Sequence, residues 1–302
     1  MTPTASRPGL AARIARSAPG RLVIFFAGMA LIGFVAGRVY AGLGLPAGPI
    51  AFDDVTPLIQ AFRLAPVVLA YWLLVRSVES RRVHELAPRK AVPHLLLGLA
   101  GGLAAMSLVV GALWAMGVYV VTGVNHDAHW LGPILVLGVG AGVAEEIVSR
   151  GVIFRVVEEG LGTWAALLVS AAVFGGGHLW NPNATVWSAA CIALEAGLLF
   201  GLLFHVTRSL WVCMGAHAAW NVAEGPLYGT PVSGFDQRGL LVSHLQGPEW
   251  LTGGAFGVEA SVVTLALGSA ITAACLSVAV SRHSLVPPFW RRRSSSTRTD
   301  RG

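Results

Sequence analysis

Long apolar runs separated by short polar or charged connections are the dominant pattern of this chain. They fall at about 21–41, 56–77, 93–122, 131–157, 163–180, 186–204, 209–228 and 256–281. A bilayer-spanning helix takes roughly 20 apolar residues, because every backbone N–H and C=O must be paired within the segment where no water is at hand. The pattern therefore predicts an all-α, polytopic transmembrane helical bundle of about eight spans. A basic segment at 1–20 precedes a membrane domain at 21–285, and a basic tail at 286–302 is expected to be disordered. Arg7, Arg13 and Arg16 before the first run suggest a signal peptide. That run is too long and lacks a convincing small-residue cleavage site, so it reads as the first span.

Lys and Arg orient the bundle, since they accumulate in cytoplasmic segments. An even number of spans puts both termini on one side. With the N-terminus inside, the inner segments hold Arg7, Arg13, Arg16 and Arg21, then Arg76, Arg81, Arg82, Arg89 and Lys90, then Arg155, Arg208 and Arg291 to Arg293. The opposite connections near 45–55, 123–130 and 181–186 hold none. Arg38 and Arg63, near the outer ends of the first two spans, and Arg238 in the longest outer loop break the rule.

Composition narrows the class. Of 302 residues, 55% are hydrophobic and 12% charged, against about 25% charged in soluble domains. The chain is expected in lipid, as an integral protein of the plasma membrane. Its net charge of +6 does not gather into a basic patch interleaved with exposed aromatics, so no nucleic-acid partner is expected. Cys191, Cys213 and Cys275 lie in apolar runs without CxxC spacing and read as small core side chains. The glycine pairs 98/102, 138/142 and 197/201, four residues apart on three spans, predict close helix approach.

Against this background, ionisable side chains inside the spans stand out, because each costs insertion free energy and is by default a functional candidate. AGVAEEIVSRG places Glu145 and Glu146 mid-span, with Arg150 one turn beyond Glu146. The i to i+4 spacing lets Arg150 neutralise Glu146 and leaves Glu145 on another face. FGGGHLWNP brings three glycines up to His178, where another backbone or a substrate can approach. CMGAHAAWN puts His217 and Asn221 on one helical face.

EExxxR, FxxxH and HxxxN, in that order on separate spans between about Leu131 and Glu224, resemble the motifs of the CPBP family. That family includes CAAX prenyl proteases and Abi-type, bacteriocin-immunity-related membrane proteins. The resemblance implies an intramembrane endopeptidase in which Glu145 and His178 activate the attacking water. His217 and Asn221 would then stabilise the oxyanion, with Glu146 and Arg150 in support. The implied partners are membrane lipid and a membrane-associated protein or peptide, CAAX-like or lipid-anchored. No cofactor is certain, yet Glu145, His178 and His217 with water would also make a catalytic zinc site. HExxH is absent.

Blander readings stand beside these. The carboxylates and Arg150 could form a polar network that glues helices, and mid-membrane Glu, His and Arg also serve proton-coupled transporters. A non-catalytic immunity or scaffold protein would keep the fold as a binding surface. Glu195 stands alone in the sixth run, with no partner legible in the sequence. His84, His94, His126, His129, His205, His244 and His283 fall in loops, span ends or the tail, where histidine is commonly solvated.

Overall fold

A computed structural model describes residues 9–48 and 50–292. Seven of the apolar runs become helices long and apolar enough to cross a membrane: α1 (Ala18–Gly42), α2 (Pro57–Val78), α3 (Pro88–Ala115), α4 (Leu131–Leu161), α5 (Thr163–Trp180), α6 (Val186–Thr207) and, at the end of the chain, α8 (Val262–Ser281). The run at 209–228 forms α7 (Leu210–Val222), continued by a wider π-helical turn, Ala223–Leu227. It is the innermost helix of the bundle. No residue from Ser209 to Thr230 is exposed.

Glycine makes that central packing possible. A Cβ on Gly98 or Gly102 of α3 would stand 2.2 Å from the Val212 carbonyl oxygen or 2.1 Å from that of Ala216. On the other side of α7, a Cβ on Gly142 of α4 would come within 3.1 Å of the Met214 oxygen. Backbone-to-backbone approach of this kind suits helices that gain little from hydrophobic burial in lipid and depend on close packing.

Two predicted spans have different limits. The run at 93–122 starts earlier, at Pro88, whose fixed φ suits the first turn of a helix. It ends before Gly117, which has φ +72. The β-branched stretch after it forms β1 (Tyr119–Val124), antiparallel to β2 (Leu241–Leu245), so a two-stranded ribbon is added to the all-α bundle. The run at 256–281 becomes helical only at Val262, where the Ser261 side chain caps the helix by accepting from Val263 N–H. Before it, the 3-10 turn Val258–Ala260 carries Glu259 inward.

One end of the bundle is an ionic layer. Arg155 reaches Glu79 at 2.9 Å, Glu85 at 3.4 Å and Glu159 at 3.1 Å, while Arg81 binds Glu85 at 2.6 Å. Glu158, His205 and Arg208 make a second group beside it. Both described ends of the chain meet this layer: Arg16 donates to the Val78 carbonyl and Arg21 to Glu79, while Arg292 donates to the Glu158 carbonyl. The described ends of the chain therefore share a side, the one that carries the ionic layer.

The layer also corrects two expectations. His205 is 2% exposed, not solvated, because its Nδ1 lies 2.6 Å from Glu158. Residues 286–292 are ordered, since Val286 exchanges hydrogen bonds with the Thr163 backbone and hydroxyl, each 2.9 Å long. The rest of the predicted tail, 293–302, and residues 1–8 of the basic N-terminal segment lie outside the described residues.

Candidate active site

Glu145 and Glu146 sit in an α-helical stretch, Gly142–Glu146, between two π-helical ones, Ile134–Ala141 and Ile147–Phe154. The two carboxylates face different surroundings. Glu146 is fully buried, and its Oε1 accepts from Arg150 Nη1 at 2.9 Å and from His217 Nδ1 at 2.9 Å. Arg150 also donates to the carbonyls of Ala196 and Gly197 and lies 4.4 Å from the centre of the Phe174 ring. A buried ion pair persists only when such extra partners offset the loss of water.

Glu145 points the other way, with 37% of its side chain exposed. Its Oε2 stands 4.0 Å from His178 Nε2 and 3.9 Å from His217 Nε2, and has no hydrogen-bond partner. These gaps are too long for direct hydrogen bonds. They are of the length that a bridging water between Glu145 and either histidine would fill. Side chains from α4, α5 and α7 thus share one point. Glu145 and His178, but not His217, line a groove of about 460 Å³ together with Arg63, Ser149, Asn181 and apolar residues of α1, α2, α4 and α5. Gly177 contributes an open wall, since nothing lies within 4 Å of where its Cβ would be.

Hydrogen bonds fix the tautomers. His178 Nδ1 lies 2.8 Å from the Phe174 carbonyl, which can only accept, so Nδ1 carries the proton and a neutral ring presents a lone pair at Nε2. His217 Nδ1 donates in the same way to Glu146, and its ring stacks on Phe200 at 5.5 Å and 14°. Only an imidazolium at His217 has an N–H left at Nε2 to offer an anion.

Asn221 lines the enclosed cavity behind the histidines, but its Nδ2 donates to the Leu137 carbonyl at 3.0 Å, so one of its two amide protons is committed to holding α7 against α4. That cavity, about 20 Å³, has room for roughly one water. Glu195, Ser233 and Glu259 also line it. Glu195, 2% exposed, leaves Oε1 unpartnered, and both carboxylate oxygens of buried Glu224 are likewise without partners. Glu259 accepts from the backbone and hydroxyl of Ser233, each at 2.7 Å. Sequence reasoning missed Glu224 and Glu259. The available signal was a lone carboxylate interrupting an apolar run, the one that marked Glu195.

Glu145, His178 and His217 offer donor types that suit zinc. Among the described residues, however, no group of three or more His, Cys, Asp or Glu side chains is arranged to hold a metal ion.

A bundle of apolar helices with a carboxylate and two histidines meeting inside it defines an integral membrane protein with a buried polar centre. Residues 127–223, which contain the whole of that centre, match the family described as Rce1-like, type II CAAX prenyl endopeptidase. The match supports the CPBP/CAAX protease family, whose members are membrane-embedded proteases, for this third of the chain. No curated protein matches the chain.

Proposed function

We propose that the protein is an intramembrane endopeptidase that hydrolyses a peptide bond of a membrane-associated substrate with water activated by Glu145 and His178. The observation that carries this reading is the 3.9–4.0 Å separation of Glu145 Oε2 from the Nε2 atoms of His178 and His217 at the wall of an open groove.

The water's two O–H groups point to Glu145 and to the lone pair of His178 Nε2, which leaves an oxygen lone pair to attack the peptide carbonyl. Glu145 takes one proton as the C–O bond forms and returns it to the amide nitrogen as the C–N bond breaks. The carbonyl oxygen becomes an oxyanion beside His217, which donates to it from Nε2 as an imidazolium held by Glu146. Asn221 supplies its uncommitted amide proton. Donors of this kind contribute about 3–4 kcal/mol each in measured cases. The Glu146–Arg150 pair fixes the His217 ring and the α4–α6 spacing.

A metal reading rests on donor type alone. Zn²⁺, if bound, would take Glu145, His178 and His217 and would supply an activated water.

The test is cleavage of a peptide library by purified protein in detergent, comparing wild type with Glu145→Ala and His178→Ala, with and without a chelator. Loss of cleavage in both variants supports the enzyme, and full cleavage by Glu145→Ala removes it. Loss on chelation of the wild type transfers the water's activation to a metal.

A further inference from the structure

Arg63 breaks the positive-inside pattern, and the structure shows where it goes. It lies on α2 six residues after Pro57, roughly 9 Å into the span, and is exposed. It makes no ion pair or hydrogen bond among the described residues, and it lines the same groove as Glu145 and His178. Most of the groove's other lining is apolar, contributed by Met29, Pro66, Val67, Val148, Val173 and Phe174, with Ser149 and Asn181 as polar members. The arginines buried in the bundle each have a carboxylate: Arg150 has Glu146, and Arg155 has Glu79, Glu85 and Glu159. Arg63 has a groove instead.

We propose that Arg63 is a substrate-binding residue that takes a carboxylate of the peptide lying in this groove. The inference rests on the hydrolytic reading of Glu145 and His178 and adds a substrate class to it: peptides that present an anionic end or side chain within a short extended stretch of the scissile bond. A guanidinium offers two parallel N–H donors that match a carboxylate. A carboxylate reaching Arg63 anchors one end of the peptide while its backbone passes Glu145. A C-terminal carboxylate and an Asp or Glu side chain are the two sources of this chemistry.

The test uses full-length protein in detergent and three peptides of one cleavable sequence: C-terminal acid, C-terminal amide, and amide with an added Asp. Wild type should prefer one of the two carboxylate peptides over the plain amide by about tenfold or more in kcat/KM, and which one identifies the source. Arg63→Gln should bring that ratio to about one, Arg63→Lys should keep part of it, and Arg63→Glu should invert it. An unchanged ratio in Arg63→Gln overturns the proposal. So does an equal loss on all peptides, which would mean that Arg63 acts on the charge of Glu145. The same peptides are titrated by fluorescence onto Glu145→Gln. A carboxylate preference in binding, without cleavage by wild type, keeps the Arg63 site and removes the protease. No preference in binding or cleavage removes the site. If Arg63→Gln instead weakens association with phosphatidylglycerol vesicles and leaves the peptide ratio intact, the anion is a lipid phosphate and the proposal fails.

Discussion

The Nδ1 atom of His217 lies 2.9 Å from Oε1 of Glu146, so the carboxylate next in sequence to Glu145 sets the tautomer of a histidine on another helix. One carboxylate at this point organises and the other stays open to the groove. Their roles separate by exposure, since Glu146 is 0% exposed while Glu145 shows 37% of its side chain.

Substitution of the two neighbours should therefore have opposite signatures. Glu146→Gln leaves Arg150 buried without a counterion and should cost about 3–5 kcal/mol, read as a lowered Tm in detergent. Glu146→Gln with Arg150→Met should recover much of it. Glu145→Gln should change stability by about 0.5 kcal/mol or less, while cleavage falls at least a hundredfold. A double variant no more stable than Glu146→Gln would refute the ion-pair account.

His217→Gln should lower kcat about a hundredfold to a thousandfold and leave KM nearly unchanged, because its interaction forms with the oxyanion and not with the bound peptide. A rise in KM at constant kcat would place His217 in ground-state binding instead. Steady-state kinetics on one peptide distinguishes the two.

The ionic layer predicts acid sensitivity. Burial raises the Glu85 carboxyl, but hydrogen bonds from Arg81, its own backbone N–H and Tyr71 outweigh this and hold it at about 2, below the usual 4.5. A folded-state value below the unfolded one gives stability that is complete above about pH 4.5 and lost as pH falls toward 2, on the order of 3 kcal/mol. Thermal unfolding at pH 7, 4 and 3 should show that loss, and Arg81→Gln should flatten it. A slope unaffected by Arg81→Gln would assign the acid transition to other groups.

The glycines of α3 should not be equivalent. Gly102→Val drives a side chain into the Ala216 carbonyl and should cost about 3 kcal/mol or more, whereas Gly101→Ala meets nothing within 4 Å and should be neutral or stabilising by up to about 1 kcal/mol. Equal Tm shifts for the two would contradict the α3–α7 packing.

Much of this was legible in the chain because lipid imposes a strong constraint: a helix that must pair its own backbone announces itself by length and apolarity. The pairing of Arg150 with Glu146 followed from i, i+4 spacing, and the opposite orientation of Glu145 followed with it. Other features were hidden. Tyr119–Val124 is apolar enough to extend a span, and only pairing with β2, more than a hundred residues away, makes it a strand. His205 looks like a span-end histidine until α4 brings Glu158 beside it. Glu259 sits in a run that reads as helix, yet the backbone turns before Val262 and carries it to the cavity. The commitment of Asn221 to the Leu137 carbonyl is equally a matter of which helices touch.

The enclosure of α7 has a consequence for how the molecule is made. A segment holding His217 and Asn221, with Glu224 in the turn that follows and no residue from Ser209 to Thr230 exposed, gains little by entering lipid on its own. Helices α3 and α4, which precede it in the chain, supply the surfaces it packs against. Biogenesis of the fold is therefore a docking problem as much as an insertion problem.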